Sequence, residues 1–335
     1  MAGHAGSRAV AGRQSVTLAG HEEPWREWRS ASAGPRLHHG WILAGPRGLG
    51  KAGFALQAAR ELVAEPGSAQ PTGNHPDIIL LEPLPATADD EKKRDEGKPY
   101  QTKRNISVEQ IRGMQQRLTT RPTLGSRRVI IIDPADELEK GAANALLKSL
   151  EEPPAGSFFM LIAHRPGRLL PTIRSRCRTL LFPKLTSEQV ASILSREAPE
   201  ADPATREAAV AASGGSPGAA LEFVQLDLGA MYRLMGEIAA KGDASFERRG
   251  KLSEALGARP DRKRQLAAID LARAVVTEGM ANAGRGAIPQ LTDVHAELVR
   301  LGAQAPTYNY DPGLLVMEIG TLLASLAAPS EPAYG

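Results

Sequence analysis

The chain has 335 residues, 42% hydrophobic and 24% charged, enough for about two or three domains and too apolar to be wholly disordered. A net charge of +3 permits contact with nucleic acid without demanding it, and aromatic residues at 4% leave few rings for a single-strand stacking platform. No apolar run approaches the roughly 20 residues that span a bilayer. Residues 1–20 hold no apolar signal core, so a cytoplasmic location without membrane contact is expected.

Residues 1–15 read as a flexible small-residue tail. Residues 16–30 read as a short helix with Trp25 and Trp28 on one face. Residues 37–44 form an apolar run that reads as a buried strand. His38 and His39 would face opposite sides of that strand and make a poor shared metal site. A glycine-rich segment follows, then Ala55, Ala58, Ala59, Leu62 and Val63 at helical spacing.

Residues 65–76 carry three prolines and two glycines and read as a loop. Residues 77–81 are a second strand. Residues 82–104 are charged and read as a mobile, solvated excursion. Within it, Lys92-Lys93-Arg94 sits among acids and suits a solvated loop better than a DNA contact. Ser107 can cap a helix with Val108, Ile111 and Leu118 on one face. The run 127–132 is apolar on both faces, as strands of parallel sheets are. A helix over 144–151 is stopped by Pro153-Pro154. Further strands are predicted over 158–163 and 180–182.

Apolar strands alternating with helices predict a parallel α/β sheet. Beyond Pro183 only helical periodicity remains. Thr186 and Gln189 have capping-box spacing, and Ser216-Pro217 pairs an N-cap with an N1 proline.

Gly45-Pro46-Arg47-Gly48-Leu49-Gly50-Lys51 fits the phosphate-loop pattern, set between strand and helix. Its backbone N–H groups and helix N-terminus suit phosphate oxygens, and its lysine suits terminal phosphates. Gly45, Gly48, Gly50 and Lys51 are therefore the candidate nucleotide-binding residues. The next residue is Ala52, where the motif has a Ser or Thr hydroxyl for magnesium. Asp133 ends the 127–132 run and suits either a helix N-cap or a metal contact. Pro134 follows it, with neither a carboxylate to orient water nor an N–H. Asp136-Glu137, lying further on, is set aside as a shifted acidic pair.

The phosphate loop, together with Gly20-His21-Glu22, His75-Pro76-Asp77, the run Asn144-Ala145-Leu146-Leu147-Lys148-Ser149-Leu150-Glu151-Glu152-Pro153-Pro154, and Leu170-Pro171-Thr172-Ile173-Arg174-Ser175-Arg176-Cys177, resembles the clamp-loader branch of the AAA+ proteins. The resemblance covers most of residues 16–226. It implies an AAA+ P-loop domain with a parallel sheet over 16–183, a small helical lid over 184–228 and an all-α oligomerisation collar over 229–335. It implies a hetero-oligomer with other clamp-loader subunits of gamma/tau and delta type, contacting a sliding clamp and primed DNA through the complex. Such a complex belongs to the DNA polymerase III holoenzyme, a DNA-directed DNA polymerase and nucleotidyltransferase.

In that family the Ser-Arg-Cys triplet presents an arginine to ATP bound by a neighbouring subunit, which maps to Arg176. A guanidinium there would stabilise charge developing on the transferred phosphoryl group. The alternative for Arg176 is a structural ion pair. Arg174 is expected to pair or pack locally. Active relatives carry an Asn or Thr after the 158–162 strand, where this chain has Ala163-His164-Arg165. They also carry a lid arginine where this chain has Ala219. Ala52, Pro134 and Ala219 together imply a subunit that hydrolyses no ATP, requires no cofactor and binds ATP or ADP weakly. The competing readings are an active gamma/tau-type ATPase and a nucleotide kinase. The kinase leaves Ser175-Arg176-Cys177 and the helical third unexplained. Many relatives carry a four-cysteine zinc module. With Cys177 alone, no disulfide and no metal are expected, and the thiol is expected to be packed rather than nucleophilic.

Overall fold

A computed structural model describes residues 20–34, 36–64, 71–305 and 310–327. The tail over 1–15 and the first part of the 65–76 loop lie outside the described residues. Two compact units are present, one up to Lys184 and one from Leu185 onward.

The first unit is built on five parallel strands: β1 (Gly40–Ala44), β2 (Ile78–Leu81), β3 (Arg128–Ile132), β4 (Ser157–Ala163) and β5 (Arg178–Leu181). Their order is β2-β3-β4-β1-β5, and β1 pairs with β4 from Gly40↔Phe159 to Ala44↔Ala163. Among the described residues six α-helices accompany them: α1 (Glu22–Ser32), α2 (Lys51–Val63), α3 (Ala88–Asp95), α4 (Val108–Leu118), α5 (Lys140–Glu151) and α6 (Pro171–Arg174).

Alternation along the strands divides the core in two. Ile42, Ile130, Ile132, Phe159 and Leu161 face one way, against Ile111, Met114, Leu146 and Leu150 of α4 and α5. Trp41, Leu43, Val129, Ile131, Met160 and Ile162 face the other, against Trp25, Trp28, Phe54 and Leu62 of α1 and α2. Trp28 meets Trp41 edge to face with centroids 5.3 Å apart. Both faces are apolar because helices cover both.

Three sequence expectations change here. The first strand begins at Gly40, so His38 and His39 precede it. Their rings stack at 4.6 Å instead of facing apart, and each bonds a backbone carbonyl, of Gly40 and Leu150 respectively. The 82–104 excursion is folded. Thr87 caps α3 by accepting from Asp90 N–H at 3.1 Å, and the buried Asp90 carboxylate accepts from Gln101 N–H at 3.1 Å. The chain closes on itself through Ala86 N–H to Gln101 O and Lys103 N–H to Leu84 O. Finally, the helix over 144–151 starts a turn earlier, at Lys140.

The second unit is helical: α7 (Ser187–Glu197), α8 (Pro203–Ala212), α9 (Pro217–Gln225), α10 (Gly229–Lys241), α11 (Glu247–Leu256), α12 (Arg262–Asn282), α13 (Ile288–Gln304) and α14 (Pro312–Ala324). Thr186 and Gln189 form the expected capping box, and Ser216 caps α9 with Pro217 at its start. Helices α7, α8 and α9 pack on one another. Helix α10 packs on α8 as well as on α11, α12 and α14. No helix among the described residues is long and apolar enough to cross a membrane.

Candidate functional site

The loop from Gly45 to Gly50 joins β1 to α2, so it emerges from an interior strand of the sheet. Gly45, Gly48 and Gly50 all have positive φ, at 156°, 80° and 76°. At Gly45 a Cβ would stand 2.3 Å from the Phe182 carbonyl oxygen, so the loop passes where no side chain fits. His21 supports it from below. Its ring Nε2 bonds the Leu49 carbonyl, and its face meets Phe182 edge-on at 5.0 Å. Burial lowers the His21 pKa, with the bond to Leu49 opposing. In the sequence His21 stands out only as part of the Gly20-His21-Glu22 resemblance, with no role attached to it.

Lys51 is buried at 3% exposure. Its Nζ donates to Gly45 O at 2.6 Å and to Pro46 O at 2.5 Å. The lysine thus holds its own loop closed. Burial pulls its pKa down to about 8, with Asp133 and Asp136 opposing. The following residue, Ala52, brings no oxygen to the site.

Asp133 ends β3 and is buried. It is not a helix N-cap: the single 3-10 turn beyond it, Ala135–Glu137, begins after Pro134. Asp136 has a structural task that the sequence did not disclose. Its carboxylate accepts from His164 N–H at 2.9 Å and Arg165 N–H at 3.1 Å. Burial raises the Glu137 pKa, with Asp136 adding to it. The His164 ring lies close enough to Lys51 that burial, followed by that ammonium, lowers its pKa. The structure therefore brings Lys51, Asp133, Asp136 and His164 together at the phosphate loop. Among the described residues no group of three His, Cys, Asp or Glu side chains is arranged to hold a metal ion.

Arg176 lies elsewhere. It follows α6, and its Nη2 pairs with Glu151 Oε1 at 2.7 Å. Its Nη1 donates to Thr172 O at 2.9 Å and Ser175 Oγ at 3.4 Å. None of these partners belongs to the phosphate loop. Arg174 is exposed and forms no ion pair among the described residues. Cys177, partly buried, packs against the core, and burial drives its thiol pKa up to about 12. Ala219 is in α9, where its N–H bonds the Ser216 cap at 3.2 Å.

A five-stranded parallel sheet carrying a phosphate loop after an interior strand, followed by a helical unit, defines an α/β P-loop protein. Residues 20–186 match the family model described as DNA polymerase III, delta subunit. The chain is 32% identical over 208 residues to DNA polymerase III subunit delta' of Pseudomonas aeruginosa, covering 58% of each chain. It is 32% identical over 204 residues to the Escherichia coli subunit of that name, covering 57% of this chain and 56% of the relative. It is also 32% identical over 187 residues to the gamma/tau subunit of Mycobacterium bovis, covering 54% of this chain and 31% of that one. The match spans a little over half the length of the delta' relatives. Over residues 20–186 the chain is thus related to the delta' subunits of DNA polymerase III.

Proposed function

We propose that this chain is a non-hydrolysing subunit of the DNA polymerase III clamp loader. It joins gamma/tau and delta subunits in the cytoplasm and helps place a sliding clamp on primed DNA. It requires no cofactor of its own, binds ATP or ADP weakly, and supplies Arg176 to ATP held by a neighbour. Within the helical unit, 184–228 acts as the lid and 229–335 as the oligomerisation collar.

The observation that carries the reading is Lys51 with its neighbour Ala52. The ammonium that would reach terminal phosphates is engaged with the loop carbonyls, and the adjoining position carries a methyl group in place of a metal-ligating hydroxyl. Pro134 and Ala219 remove two further groups that hydrolysis uses.

The relatedness to a gamma/tau subunit favours a second reading, an active loader ATPase. Turnover decides between them. The isolated chain is expected to hydrolyse ATP no faster than buffer, and turnover abolished by Lys51→Ala would establish the second reading. In the assembled loader, Arg176→Ala is expected to cut one site's turnover by about 10³-fold or more with assembly intact. Unchanged turnover would reduce the chain to a scaffold.

A further inference from the structure

The backbone around Arg176 is fixed. A Cβ on Gly40 would stand 2.9 Å from Cys177 Sγ and 3.2 Å from Arg176 O, so β1 abuts this turn directly. Buried Ile173 and partly buried Cys177 anchor the turn on both sides. The Arg176 side chain is held differently. One arm of the guanidinium meets the Thr172 carbonyl and the Ser175 hydroxyl, and the other meets the Glu151 carboxylate. The two charged side chains remain 34% and 48% exposed.

Glu151 is the last residue of α5. A carboxylate at a helix C-terminus faces the negative end of the dipole and is disfavoured there. Helix geometry therefore gives no reason for an acid at this position, whereas a cation beside it does. The pair also changes what Arg176 can do. A guanidinium neutralised at 2.7 Å presents little net charge to a phosphate, and a phosphate arriving at Nη2 must compete with the carboxylate for the same N–H groups.

We infer that Glu151 is a latch that parks Arg176 on α5, and that the polyphosphate of a nucleotide on a neighbouring subunit must displace it. Glu151 is thus a positioning residue acting through Arg176. The inference rests on the proposed role of Arg176 in trans. An exposed ion pair is weak, so the latch is easily opened. Its removal is expected to change the neighbour's response by about two- to fivefold.

Two measurements test it. In the full chain alone, phenylglyoxal modification of Arg176, followed by peptide mass spectrometry, is expected to run faster in Glu151→Gln than in the parent. Glu151→Asp should restore slow modification. In the assembled loader, Glu151→Gln is expected to lower the ATP concentration for half-maximal turnover about two- to fivefold, and to have no effect in an Arg176→Ala background. A merely structural Glu151 would act in both backgrounds. An unchanged modification rate overturns the latch, as does an equal effect of Glu151→Gln with and without Arg176. Faster modification combined with turnover indifferent to Arg176→Ala overturns the trans role and leaves the latch without a purpose, so the two failures are distinguishable.

Discussion

Asp136 joins the segment after β3 to the segment after β4: its two carboxylate oxygens each accept a backbone N–H, from His164 and from Arg165. Asp136 itself is 1% exposed as a side chain, and Arg165 Nε lies 3.6 Å from its Oδ2. The pairing fixes the chain just beyond two neighbouring strands, beside the phosphate loop. Asp136→Ala would orphan both N–H groups. The expected loss is about 1–3 kcal/mol of unfolding free energy, measured by urea titration. Asp136→Asn, which keeps one acceptor, should lose less.

Asp77 and Arg128 form a buried pair, Nη2 to Oδ1 at 3.1 Å, with side chains 0% and 4% exposed. Asp77 also accepts from Thr123 and Leu124 N–H, and Arg128 donates to the carbonyls of Arg117, Thr120 and Arg121. The pair therefore stitches the segment between α4 and β3 to the edge of the sheet. Arg128→Met leaves a buried carboxylate without its cation and is expected to cost about 3–5 kcal/mol. Burial pushes the Asp77 carboxyl up, but the Leu124 and Thr123 N–H groups and Arg128 together hold it below its ordinary 3.8. A depressed carboxyl pKa contributes stability that is present above the unfolded value and lost as pH falls through the folded one. Acid titration of the parent should show that loss below pH 3.8.

Gly45 and Gly53 lie a few residues apart and should respond oppositely to alanine. At Gly45 the added Cβ meets the Phe182 carbonyl at 2.3 Å, whereas at Gly53 nothing lies within 4 Å. Gly53 is exposed inside α2, where alanine gains helix propensity. Gly45→Ala should destabilise by about 1–3 kcal/mol, and Gly53→Ala should stabilise by about 0.5–1 kcal/mol. Thermal unfolding of the two variants checks both signs.

The elements that read well from sequence are those whose signal is local. The 127–132 run, the Thr186–Gln189 box and the Ser216-Pro217 start each carry their own cause. Helix α3 was missed because it has almost no apolar residue. It stands on the Asp90 carboxylate reaching Gln101, eleven residues along the chain, a tertiary bond that no periodicity reports. The stacking of His38 on His39 was missed because the strand begins three residues later than the apolar run suggests. The glycines and lysine of the phosphate loop were legible as a motif. The bonding of Lys51 to its own loop, the clamp made by Asp136 and the pairing of Arg176 with Glu151 were not. Each depends on where a side chain turns after the backbone is set, and residue spacing does not encode that choice.

The Lys51 charge makes a pH prediction whose sign can be worked out. Its pKa falls from 10.5 to about 8 in the folded chain, because burial disfavours the ammonium more than Asp133 and Asp136 favour it. Below pH 8 both folded and unfolded chains carry the proton, and the cost of burying the charge is present in full. Between pH 8 and pH 10.5 the unfolded chain binds more protons than the folded one, so this residue's contribution to stability rises with pH. Lys51→Met removes the titration and leaves every other group in place. The difference in unfolding free energy between parent and variant should therefore shift in the parent's favour across that window, by up to about 3 kcal/mol. Urea unfolding of both proteins at pH 7.5, 9 and 10 would measure it. A difference that stays flat would show that the ammonium is solvated, and with it that the phosphate loop is open rather than closed on its own lysine.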